Sequence, residues 1–239
     1  MNITEIKAHD AATYALMVEL AKADRAAEYA MSRIHDAAGD KKVNVSKRYG
    51  YSNYVWQMDD AEAQVKVAAI VADPKGTYAY GQDSKDSFYA YIGREAQGKL
   101  DDLREANEEI ARLGALINAQ EDVFRAEGWA RFEAVPGGHI HNRNATCHTL
   151  RPTTQVAWIP ELSGDTEADA VAKYGPALCS HCYKGAPVEW IQQAKVQKNA
   201  DGNVATLAEA QAIADEKAAK KAAREAKKAA KAARAAARS

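Results

Sequence analysis

Two stretches decide how this chain is read: Gly138-His-Ile-His-Asn-Arg-Asn-Ala-Thr-Cys-His-Thr-Leu150 and Leu178-Cys-Ser-His-Cys182. All three cysteines lie between 147 and 182, and four of the six histidines fall between His139 and Cys182. An odd number of cysteines does not make a disulfide framework, so the pattern points to metal chemistry. Zinc takes four thiolate or imidazole ligands at the corners of a tetrahedron. Cys179 and Cys182, with two residues between them, supply two of them from one tight turn. His141 and Cys147, with five residues between them, supply the other two, and 31 residues separate the pairs. His139, His148 and His181 are the spare candidates, His139 first among them.

Four protein ligands close a zinc site, whereas a catalytic zinc keeps one position open. The expected role of Zn2+ is therefore structural. The known catalytic patterns point the same way. Zinc deaminases place a Glu two residues after a His, before Pro-Cys-x-x-Cys; here His139 is followed by Ile140-His141. No His-Glu-x-x-His occurs. His141-Asn142 lacks the further histidines of a metal nuclease. With no nucleophile–base pair in view, no catalytic residue is assigned, and the expectation is a non-enzymatic protein.

Other segments carry a resemblance. Trp158-Ile-Pro-Glu-Leu-Ser-Gly164, Tyr174-Gly-Pro-Ala-Leu-Cys-Ser-His-Cys182 and Ala186-Pro-Val-Glu-Trp190 follow the first stretch. Trp129-Ala-Arg131-Phe132 precedes it, after a long helical segment. Together they resemble a module found in many uncharacterised proteins of phages infecting actinobacteria. The resemblance covers about residues 100–191. It implies a phage origin and supports the His and Cys assignments, and it implies no activity. The first 95 residues and the tail lie outside it.

Working outward, residues 3–37 have helical periodicity, with Ile6, Leu16, Leu20, Ala23, Ala27, Met31 and Ile34 on one face. Residues 40–58 read as a polar, Tyr-rich connection around Gly50. Asp59 or Asp60 caps a helix that Asp73-Pro74 stops; a strand over the run Val65-Lys-Val-Ala-Ala-Ile-Val71 is the alternative. Tyr78 and Tyr80 mark a short strand or loop. Residues 86–127 read as one long helix, with Gly93 and Gly98 as possible bends. Within it Leu103, Ile110, Ile117 and Phe124 fall seven apart, a coiled-coil-like seam. The seam suits pairing with the N-terminal helix, or a homodimer through the 100–127 helix. Strands are expected over 129–135 and 155–162, with a turn at Pro136-Gly137-Gly138. A short helix then ends at Tyr174-Gly175-Pro176, and Asp201-Gly202 is a turn. Thr206-Leu-Ala-Glu209 has capping-box spacing and opens the last helix.

The net charge of −1 hides a split. Residues 216–239 hold nine Lys/Arg and two Glu, a balance of +7, against −8 for the rest. The nine are Lys217, Lys220, Lys221, Arg224, Lys227, Lys228, Lys231, Arg234 and Arg238, set among alanines. Ala, Lys and Arg all favour helix, so the cations form a stripe opposite an Ala surface. Such a stripe tracks phosphates with little sequence preference, so the expected partner is nucleic acid, duplex DNA above all. The opposite face lacks the Leu, Phe and Trp of a membrane-surface helix. The alternative is a protein-interaction module with a host or phage protein partner and an incidental tail. Tyr is abundant, with seven of eleven between 49 and 91; beside Lys47 and Arg48 such rings can stack on bases or pack against helices.

At 239 residues the chain suits one or two domains. Its 47% apolar content overstates the core, because alanine buries little area. No apolar run approaches a membrane span, and the N-terminus lacks a signal-peptide core, so a cytoplasmic protein is expected. The fold class follows: mainly α, with long helices, a small α+β zinc-binding module and a basic C-terminal helix. The expected organisation is a helical region over 1–127, the zinc-binding module over 128–191, a linker over 192–205 and the Ala/Lys/Arg-rich helical tail over 206–239.

Overall fold

The computed structural model describes residues 1–48, 51–77, 86–135, 139–143, 147–151, 153–183, 198–199, 202 and 204–236, and for 46–48, 51–53, 176 and 230–236 the backbone alone. The expectations for Tyr78, Tyr80, Pro136-Gly137-Gly138, Asp201 and the 186–190 stretch lie outside the described residues. The chain is mainly α with a small α+β part. Its elements run α1 (Ile3–Ala37), β1 (Lys42–Arg48), β2 (Tyr51–Trp56), α2 (Asp60–Ala72), a single turn α3 (Pro74–Thr77), and α4 (Asp86–Glu127). Then follow β3 (Phe132–Ala134), β4 (Ile140–Asn142), β5 (Ala157–Trp158), a 3-10 turn Pro160–Leu162, α5 (Glu167–Tyr174), a second 3-10 turn Gly175–Ala177, and α6 (Leu207–Ala236). Two compact units divide the chain: Met1–Tyr14 with Val123–Ser239, and Ala15–Asp122.

The Ala15–Asp122 unit packs Ala30 and Ile34 of α1, Ala63, Val67 and Ile70 of α2, and Ala96 and Leu103 of α4 into one core. Alanine at three of these positions lets the backbones approach closely. Leu103 of the seven-residue seam is part of this core, and Leu113 and Ile117 are buried further along α4. The segment Val65–Val71 is helix, not strand: Asp59 caps α2 by accepting from the Glu62 N–H. Helix α4 is uninterrupted through Gly93, Gly98 and Gly114.

The 40–58 segment corrects the sequence reading. It is not an irregular connection but an antiparallel ribbon, β1 against β2, from Lys42 opposite Trp56 to Arg48 opposite Tyr51, with a register shift between Asn44 and Ser46. The alternation Lys42-Val43-Asn44 and the β-formers Tyr54, Val55 and Trp56 explain it. The buried ring of His35 anchors one end. It stacks on Trp56 at 4.8 Å, with Nδ1 2.8 Å from Asp40 Oδ2 and Nε2 3.0 Å from Asp60 Oδ1.

In the other unit, β3 is the middle of a three-stranded antiparallel sheet ordered β4-β3-β5. The strands are shorter than the expected 129–135 and 155–162. Pro160, which has no N–H for a ladder, begins a 3-10 turn and ends β5 early. Before β3, Trp129 and Arg131 are engaged by Asp10 of α1. Phe132, Ala134, Ile140, Ile159, Leu162, Ala170, Tyr174, Leu178 and Tyr183 make the core. Thr166 and Asp169 form a capping box at the start of α5, and Gly175 caps its end with φ 46°. Gly164 sits at φ 76°, and a Cβ there would stand 3.0 Å from Ile6. Thr206 and Glu209 cap α6: the Thr206 N–H donates to Glu209 Oε2 at 2.7 Å and the Glu209 N–H to Thr206 Oγ1 at 3.4 Å. No helix among the described residues is long and apolar enough to cross a membrane.

Candidate metal centre and cationic helix

Three local structures bring His141, Cys147, Cys179 and Cys182 together. His141 is on β4, opposite Glu133 of β3. Cys147 opens a turn in which the Leu150 N–H donates to the Cys147 carbonyl at 3.1 Å. The Cys179 N–H donates to the Ile140 carbonyl at 2.9 Å, which ties the second knuckle to β4. From there the N–H groups of Cys182 and Tyr183 both turn back onto the Cys179 carbonyl. The sheet thus places His141, and its edge places Cys179.

The four ligand atoms all lie within 4.8 Å of one another. Cys147 Sγ is 3.9 Å from Cys179 Sγ, and Cys182 Sγ is 3.6 Å from His141 Nδ1. These lengths test the fit. Tetrahedral zinc with ordinary bond lengths needs S···S of about 3.8 Å and S···N of about 3.6 Å. A disulfide would need about 2.05 Å, and all three cysteines are free. His141, Cys147 and Cys179 are buried and Cys182 is half-buried, with the apolar core behind it. A group of four soft donors of this kind fits a metal ion.

For His141 and Cys147 the electrostatics agree, while Cys182 is shifted the other way. Burial lowers the pKa of His141, helped by His139 and His181, and this favours the neutral imidazole that binds metal. Burial pushes the Cys147 thiol up, but the Thr149 hydroxyl and backbone N–H donate to it and bring it below its ordinary value. Burial pushes Cys182 up to about 12 even though the Asn142 N–H donates to its sulfur. Two of the sulfurs therefore already have backbone donors of the kind that steady a thiolate.

The spare histidines stand apart. The described metal-capable group contains none of them. His148 and His181 are exposed and meet edge to face at 4.4 Å. His139 Nε2 is buried without a hydrogen-bond partner among the described residues.

Sequence reasoning missed a second polar cluster in the same unit. The Asp10 carboxylate accepts from Trp129 Nε1 at 2.8 Å, Arg131 Nη2 at 2.8 Å and Arg131 Nε at 3.1 Å. The guanidinium lies 3.6 Å from the Phe124 ring centre and 4.5 Å from that of Trp158. Asp10 was the available signal: it stands one helical turn after Ile6, on the apolar face.

Helix α6 carries the tail. Every residue from 214 to 229 is exposed. At 100° per residue, the eight basic positions from 217 to 234 fall within an arc of about 140°, and alanines fill most of the rest. Lys217, Lys220, Lys221, Arg224, Lys227 and Lys228 are exposed, with Lys220 paired to Glu216. Lys231 and Arg234 continue the helix, while Arg238 lies outside the described residues. Comparison with protein-family models, with curated proteins and with solved structures finds no match.

Proposed function

We propose that this is a non-enzymatic nucleic-acid-binding protein in which His141, Cys147, Cys179 and Cys182 hold a structural Zn2+ ion and α6 supplies the binding arm. We read its role as that of a phage accessory or regulatory factor, building on the phage origin that the sequence resemblance implies. One observation carries the binding reading: a long helix with its cations on one arc, exposed from 214 to 229 in a chain that is otherwise acidic. Such a helix makes little contribution to the core, and its charge matches a phosphate backbone. The zinc reading rests on the four converging donors. When bound, the metal would supply folding free energy by fixing the β4 strand and both turns; four protein donors leave no place for a reacting water.

The test is duplex DNA binding by the full chain and by a chain ending at Asp215, at two salt concentrations. Strong, salt-sensitive binding by the full chain alone supports the reading. Equal affinity for both chains, or none for either at low salt, moves the assignment to a host or phage protein partner.

A further inference from the structure

The β1–β2 ribbon is left unused by this reading. The Ala15–Asp122 unit holds 14 Lys/Arg and 19 Asp/Glu. Residues 41–58 hold Lys41, Lys42, Lys47 and Arg48 and no acidic residue, so the ribbon is a +4 island in a unit that is −9 elsewhere. Among the described residues its strands pair only with each other. A lone two-stranded hairpin is marginal in water, yet this one leaves Val45 57%, Tyr54 60% and Val55 43% exposed.

The geometry sets what the ribbon presents. Tyr54 and Val55 are consecutive on β2, so they point to opposite faces. Val45 sits where the register shifts, out of the pairing, and such a bulge tightens the twist. Lys42, on the same face as Trp56, places its Nζ 4.4 Å from that ring's centre. Lys41 and Lys42, which make no ion pair among the described residues, therefore share a strand pair held by His35 at one end with an exposed aromatic ring and apolar side chains.

We infer that this ribbon is a second binding site, and that its ligand is single-stranded nucleic acid. Lys41 and Lys42 meet the phosphates, and Tyr54 stacks on an unpaired base. An anionic chain with flat apolar rings satisfies both features at once; an acidic peptide satisfies the charge alone. Single strands are favoured over duplex because bases inside a duplex are already stacked and offer no face to Tyr54. This site does not depend on the tail: it lies in a different unit and is read from different residues.

The test uses the full chain and a labelled oligothymidylate of about 12 nucleotides, within the span of one small binding face. Tyr54→Ala should weaken binding about tenfold, in line with the worth of one stacked base. Tyr54→Trp should stay within about twofold of the parent chain. Tyr91→Ala, an exposed tyrosine on α4, should leave affinity unchanged. Reversing Lys41 and Lys42 to Glu should weaken binding and flatten its salt dependence, since each phosphate contact on a single strand contributes about 0.7 to the slope. That charge variant decides the case if Tyr54→Ala fails to fold. Unchanged affinity in the ribbon variants, or an equal loss from Tyr91→Ala, overturns the proposal. So does a Tyr54→Ala loss as large on duplex as on single strand, which would make the ribbon a duplex contact. The tail reading stands or falls separately, on duplex binding by the chain ending at Asp215.

Discussion

Asp10 and Arg131, 121 positions apart, form a two-point ion pair in which both side chains are at most 1% exposed. The pair joins the start of α1 to the start of β3. A buried charge that loses its partner is costly, on the order of 3–5 kcal/mol. Arg131→Ala and Asp10→Ala should each destabilise the unit by that amount in urea unfolding. The double variant Asp10→Leu, Arg131→Met should lose less than either, because no charge is stranded.

The same pair makes stability pH-dependent. Burial raises the Asp10 pKa, but hydrogen bonds from Arg131, Ser163 and Trp129 outweigh it and hold the carboxyl below its ordinary value. A carboxyl depressed on folding stabilises the native state fully above the unfolded value of about 3.9, and the contribution drains as pH falls through the folded value. Unfolding midpoints measured from pH 6 downward should drop more for the parent chain than for Asp10→Asn.

Much of this architecture was legible beforehand, for local reasons. Helix α1 follows apolar periodicity, and the ends of α2, α5 and α6 follow capping residues adjacent in sequence. Spacing, supported by the resemblance, brought His141, Cys147, Cys179 and Cys182 into one candidate group, with His139 as the substitute for His141. What escaped depends on distant partners. The β1–β2 ribbon looked like a polar connection, because half-exposed strands carry a weak apolar signal. The burial of Asp10 and His35 is decided by Arg131, Trp129 and Trp56, which no local pattern links to them.

Gly164 tests the join of α1 to the module. It combines φ 76° with a Cβ position 3.0 Å from Ile6. Gly164→Ala should cost at least about 1–2 kcal/mol from backbone strain alone. Adding Ile6→Ala should relieve the contact but not the strain, so the double variant should show a favourable coupling in a thermal-melt cycle.

The tail predicts a salt slope. If all nine cations reached duplex phosphates the log–log slope would be about −8, and partial contact gives roughly −4 to −6. Reversing Lys217, Lys221, Arg224 and Lys228 to Glu should flatten the slope by at least about 3. Anisotropy titrations at several salt concentrations read it directly.

Cys179→Ser should unfold the module, because binding energy in small zinc folds is folding energy. The near-UV signal of Trp129 and Trp158 should collapse, and chelation of the parent chain should do the same. A tryptophan environment that survives in the variant would show the thiol to be dispensable.

Metal content is the most direct test of the centre built on His141, Cys147, Cys179 and Cys182. Full-length protein purified without added zinc should contain about one equivalent of zinc per chain, as a closed four-ligand site requires. Its three thiols should resist titration until a chelator or denaturant is added. Protein free of any transition metal, with all three thiols titrating at once in the native state, would contradict the account.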